Sequence, residues 1–179
     1  MKKLWMVVIL MMLVILGVSG QPDGLKKKNL DFLQQYVGVW EATFRVWPFG
    51  PDSTMFTFAG VETIRNYGEY WLASDLETEY NGEITKVHSI MGYDPDSKKF
   101  KGFIIDQGPY MAKMTGENLP GDSTIHWTIK GKFPNGKELI QKTVDTFISP
   151  TERHLEMLVP DKSGEKFVTM MEIHYIKRK

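Results

Sequence analysis

The chain has 179 residues, with 22 basic and 22 acidic side chains and no cysteine. Without cysteine there is no disulfide framework, thiol nucleophile, iron–sulfur cluster or cysteine-ligated zinc. Balanced charge argues against a dominant nucleic-acid surface, which would be basic, and the length suits one domain.

Residues 1–20 differ from everything after them. Lys2 and Lys3 form a positive start, Leu4 to Leu16 is an unbroken apolar run, and Val18-Ser19-Gly20 offers small residues to a peptidase. This is the pattern of a secretory signal peptide. The run is short of the roughly 20 apolar residues a spanning helix needs, and no cysteine is present to carry a lipid. The reading predicts a protein exported to the periplasm or medium, soluble after cleavage near Gly20 and without a stable membrane anchor. Removing the two leader lysines leaves a slight acidic excess, so charge does not select the partners.

Gln21 to Lys28 is polar, with Pro22, Gly24 and the run Lys26-Lys27-Lys28, and reads as a flexible tail. The domain is expected to span residues 29–179. Asn29 is placed to cap a short helix through Gln35, with Leu30 and Leu33 on its buried face.

Strand signals follow. Trp40, Ala42, Phe44 and Val46 alternate with Glu41, Thr43 and Arg45. Tyr70, Leu72, Leu76 and Tyr80 alternate with Asp75, Glu77 and Glu79. Ile125, Trp127 and Ile129 alternate with Thr124, His126, Thr128 and Lys130, and Leu155, Met157 and Val159 alternate with His154, Glu156 and Leu158. Period two buries one face of a strand and wets the other. Turn residues punctuate these runs, at Pro48-Phe49-Gly50-Pro51, Asn81-Gly82, Asp94-Pro95-Asp96, Gln107-Gly108-Pro109, Leu119-Pro120-Gly121, Pro134-Asn135-Gly136, Ser149-Pro150 and Asp161-Lys162-Ser163-Gly164. The pattern predicts an all-β chain of about ten strands. Short successive connections favour a single antiparallel up-and-down barrel over a sandwich, because closure removes the edge strands. Such a barrel has room for a ligand cavity.

Gly38-Val39-Trp40-Glu41, preceded by Leu33-Gln34-Gln35-Tyr36-Val37, resembles the Gly-x-Trp opening of calycin barrels, the lipocalins and their relatives. Further matches come in order: Gly60-Val61-Glu62-Thr63-Ile64-Arg65, Met91-Gly92-Tyr93-Asp94, Lys98-Lys99-Phe100 leading to Asp106, and Met171-Glu172-Ile173-His174-Tyr175 before Lys177-Arg178-Lys179. Together they resemble an uncharacterised bacterial family, domain of unknown function 1579. The resemblance implies a lipocalin-like barrel and no established activity. Relatives often carry tryptophan where this chain has Ile104 and threonine where it has His174, so a cavity position at either would alter the ligand.

Glu62, Asp106 and Glu172 match family positions. Asp106 shares strand parity with Phe100, Gly102 and Ile104, which predicts an inward acid, and an unpaired buried carboxylate is costly. Arg65 is the candidate partner. Either a polar anchor for a ligand or a structural ion pair fits this pattern. Trp40, Phe44, Trp71 and Trp127 are the aromatic candidates for a ligand wall or for ordinary core. The four histidines, His88, His126, His154 and His174, lack metal-ligand spacing. Parity points His126 and His154 outward, and an inward His88 or His174 could ligate haem iron. No motif identifies such a ligand, so no cofactor or metal is expected. No Gly-x-Ser-x-Gly elbow and no phosphate loop is present. Trp47, Phe49 and Pro51 would sit at the barrel mouth, as rim packing or as a lid or membrane-touching tip.

The expectation is an exported barrel that binds a small apolar or amphipathic molecule non-covalently, with Glu62, Arg65 and Asp106 orienting its polar end. The alternatives are an enzyme using Asp106 or Glu172 as acid/base and a filled barrel acting as a structural or interaction module.

Overall fold

The computed structural model describes residues 24–118, 121–133 and 135–179. The expected signal peptide and its cleavage site lie outside the described residues. One helix, α1 (Gly24–Gln34), precedes ten strands: β1 (Gly38–Val46), β2 (Phe56–Tyr67), β3 (Trp71–Tyr80), β4 (Glu83–Asp94), β5 (Lys99–Ile105), β6 (Ala112–Glu117), β7 (Thr124–Lys132), β8 (Glu138–Ser149), β9 (Glu152–Pro160) and β10 (Phe167–Lys177). Each strand pairs antiparallel with the next, and β10 returns to β1 to close the barrel. This is the up-and-down architecture expected from the alternation. In β1, Trp40, Ala42 and Phe44 are buried while Glu41, Thr43 and Arg45 face solvent.

Turn chemistry sets the hairpins. Asn81 and Gly82 both have positive φ, 53° and 80°, and join Tyr80 to its partner Glu83. Two left-handed residues make the tight turn whose twist matches the flanking strands. Two strand glycines serve close approach instead. A Cβ on Gly92 would meet the Trp71 ring, and one on Gly116 would lie 2.6 Å from the Trp127 ring. Each indole lies over the glycine opposite it in the ladder.

One end of the barrel is closed. Helix α1 packs Phe32 and Leu33 into a buried cluster with Tyr36, Trp40, Phe100 and Phe147. The Tyr36 and Phe147 rings meet edge to face, 4.7 Å between centroids. Trp40 donates its indole N–H to the Tyr36 carbonyl at 2.8 Å, tying the strand start to the end of the helix segment. The helix begins five residues earlier than the sequence predicted. Asn29 lies buried inside it rather than capping it, and residues 24–28 are helical, not a flexible tail. The reason is an anchor outside the helix: Lys26 donates to the Tyr70 hydroxyl at 2.8 Å and lies over its ring.

Candidate functional site

Alternation along the strands turns one residue in two toward the barrel axis. The interior is not filled. A cavity of about 460 Å³ runs from beneath the mouth toward the closed end, within the range of small-molecule sites. Its walls are apolar, with Phe58, Leu76, Met91, Ile104 and Met157 among the lining side chains. Phe44 and Phe58 stack in parallel, 4.7 Å between ring centroids. At the mouth the lining passes to Asp106, Gly108, Pro109, Tyr110 and Lys132.

The inner end is polar. Arg153 is 2% exposed, and it donates from one guanidinium nitrogen to Asp145 at 2.9 Å and from the other to Glu62. Ser74 donates to the second Glu62 oxygen at 2.5 Å. The Arg153 guanidinium stacks on Tyr175, 3.6 Å from the ring centroid, and lies 5.0 Å from that of Trp40. Among the described residues, three buried side-chain polar atoms have no hydrogen-bond partner: the Tyr36 hydroxyl, Asp145 Oδ1 and Arg153 Nε. All three side chains line the cavity. A native interior leaves few such atoms without a partner, and here they cluster at one end of an empty space.

The charges at this floor do not balance locally, because two carboxylates face one guanidinium. Burial raises the Asp145 pKa; Arg153 opposes that, and the Glu62 charge adds to it. Burial acts to lower the Arg153 pKa, but Glu62 and Asp145 outweigh it and hold the guanidinium more firmly charged than usual. Burial also pushes the Tyr36 and Tyr175 phenols well above their ordinary range.

Of the residues singled out from sequence, Phe44, Glu62, Asp106 and Trp127 line the cavity. Asp106 does so at the exposed mouth, accepting from the Gly108 amide at 2.7 Å, and is not a buried acid. Arg65 is not the cationic partner expected. It lies on the outer face, paired with Asp75, which also holds His88. Glu172 is also outside, paired with Arg45 at 3.0 Å. Trp71 packs across Gly92 on the outer face. Trp40 is fully buried at the closed end and meets the site through the Arg153 guanidinium and the Tyr36 carbonyl. No histidine lines the cavity. His174 pairs with Glu152 outside, so neither candidate haem ligand points inward. Ile104 does line the cavity.

Sequence reading missed Arg153 and Asp145. A signal existed: Arg153 shares parity with Leu155 and Met157, and Asp145 with Phe147. Nothing local showed that these two strand positions meet Glu62, 91 residues away from Arg153.

Residues 26–177 match the profile of a family described as "Protein of unknown function (DUF1579)". No curated protein sequence matches the chain. Among solved structures, the crystal structure of Rv2717c from M. tuberculosis superposes with a TM-score of 0.65 at 12% identity, covering 84% of this chain and 98% of the other. The S-type phycobiliprotein lyase CPES from Guillardia theta superposes with a TM-score of 0.56 at 11% identity, covering 88% and 99%. At these identities the likeness is one of fold, a lipocalin-like barrel.

Proposed function

Since the chain belongs to the DUF1579 family, whose description names no activity, we propose a function from the site itself. The barrel binds a small amphipathic molecule non-covalently, its apolar body along the cavity walls and its polar head at the Glu62–Arg153–Asp145 floor. The observation that carries this is the cluster of unpartnered buried atoms at the inner end of an open apolar cavity. The head group is one that both donates and accepts hydrogen bonds without carrying negative charge. Asp145 Oδ1, with the Tyr36 hydroxyl close by, is left to accept, and Arg153 Nε is left to donate although the other guanidinium nitrogens are held by the two acids. A carboxylate head would add a third negative charge in a poorly solvated place. An alcohol, amide or amine head suits the floor, and a fatty carboxylate does not.

Displacement of a neutral apolar dye tests this. A long-chain alcohol is expected to displace the dye at least about tenfold more effectively than the carboxylate of equal length, one decade being about 1.4 kcal/mol. In Asp145→Asn the preference shrinks. Absence of dye binding, or a preference for the carboxylate, would overturn the reading. Native mass spectrometry of protein from its own host then identifies the resident ligand.

Export is part of the proposal and rests on the leader pattern in residues 1–20. A mature N-terminus at Gln21 in an envelope or secreted fraction would support it. An enzymatic use of the cavity would employ Asp145, whose pKa burial raises, rather than Asp106 at the mouth or Glu172 outside. Conversion of a co-purifying ligand by the pure protein would favour that reading. One structural neighbour is a phycobiliprotein lyase by name, so the fold is compatible with either use.

A further inference from the structure

The exposed apolar side chains are unevenly placed. At the mouth, Phe49, Met55, Phe56, Tyr80 and Ile84 on the β1–β4 side and Ile105, Tyr110, Met111, Phe133 and Ile140 on the adjoining β5–β6 and β7–β8 sides are each 40–87% exposed. Two of them, Tyr110 and Met111, lie in the loop beside the cavity opening. Near the closed end the exposed set is Tyr67, Trp71, Ile148 and Ile176, one each on β2, β3, β8 and β10. Contiguous apolar patches on a protein surface mark contact sites.

Charge distinguishes the β5–β8 side of the mouth. Lys113, Lys130, Lys137 and Lys142 are exposed on the same strands and loop, and among the described residues none of them forms an ion pair. Lys113 and Lys130 face each other directly across β6 and β7. Like charges in that position destabilise a sheet, so the arrangement costs the fold something. Two exposed acids, Asp106 and Glu138, lie on this side of the mouth, while Glu77, Glu79 and Glu83 lie on the other, on β3 and β4.

We propose that the β5–β8 side of the mouth docks on an anionic lipid surface. Apolar tips enter the headgroup region and the lysines meet the lipid charge, the pairing by which peripheral proteins hold to membranes. The opposed lysines become favourable once an anion lies over both. Docked this way, the cavity opens toward the bilayer, where an amphipathic ligand resides. That transfer rests on the ligand-binding reading above; the docking does not.

The test is co-sedimentation with vesicles of phosphatidylcholine alone or mixed equally with phosphatidylglycerol. The full-length mature protein is expected on the mixed vesicles only, with binding weakened by salt. Replacing Lys130 and Lys142 by Gln should lower partitioning roughly 25-fold, at about fivefold per charge near the surface. Met111→Ser with Phe133→Ser should abolish it, and Ile148→Ser with Ile176→Ser should leave it intact. No binding to mixed vesicles, equal binding to both compositions, or equal losses from the closed-end pair would overturn the docking. Dye displacement in vesicle-free solution is read in parallel on the same variants. Its loss in the parent protein removes the ligand reading alone, and a partner protein in place of lipid would show as vesicle binding absent throughout.

Discussion

Arg153 is held by two carboxylates and by the face of Tyr175 at once. Removing it strands Glu62 and Asp145 in the barrel with no counter-charge. Breaking one side of a buried pair costs about 3–5 kcal/mol, so Arg153→Met is expected to lower the unfolding free energy from urea titration by that amount at neutral pH. Replacing all three members by apolar residues should recover much of the loss, since the desolvation penalty goes with them. Titration separates two acids of opposite sign. Asp75 hydrogen-bonds to His88 and Arg65, which lowers its pKa; its contribution is present above the ordinary carboxylate value and is lost as pH falls through the folded one. Asp145 has a raised pKa because it is buried. Between the ordinary value, about 4, and the raised one the native chain holds that proton more tightly, so its term lowers stability as pH rises. Urea midpoints over a pH series should show Asp75→Asn losing less stability in acid than the parent. In Asp145→Asn the decline on the rising side should disappear.

Among the elements, the strands were legible because their alternation is local and the prolines and turn residues bracket it. The helix start was not, since its anchor is Tyr70, 44 residues away from Lys26. The floor of the cavity was half legible for the same reason. Glu62 stood out by its match to a family pattern, while its partner depended on which strands neighbour one another. Arg65 was the nearer arginine in sequence but sits on the wrong face of β2. Parity distinguishes the two, because residues 62 and 65 are three apart and so point to opposite sides of the sheet. The glycine opposite Trp127 makes an element-level prediction. Gly116→Ala puts a methyl 2.6 Å from the indole and must push Trp127 into the cavity. The expected cost is about 1–3 kcal/mol by thermal denaturation, with weakened dye binding alongside.

At the scale of the whole molecule, the cavity is stability forgone. A side chain that fills it should stabilise the empty barrel by about 0.5–2 kcal/mol and remove dye binding. Leu155→Phe, on a lining position, is the variant of choice, with melting temperature and dye fluorescence as the two readouts. Closure carries a different consequence, one for the order of folding. β1 finds β2 at once, but its other neighbour is β10, and the Arg45–Glu172 pair that joins them spans 127 residues. The barrel cannot seal until nearly all of the chain is available. Until then β1 exposes a bare edge, and so does the growing end of the meander. A topology so rich in distant pairings folds slowly, and during that interval the unsealed edge strands are open to pairing between chains.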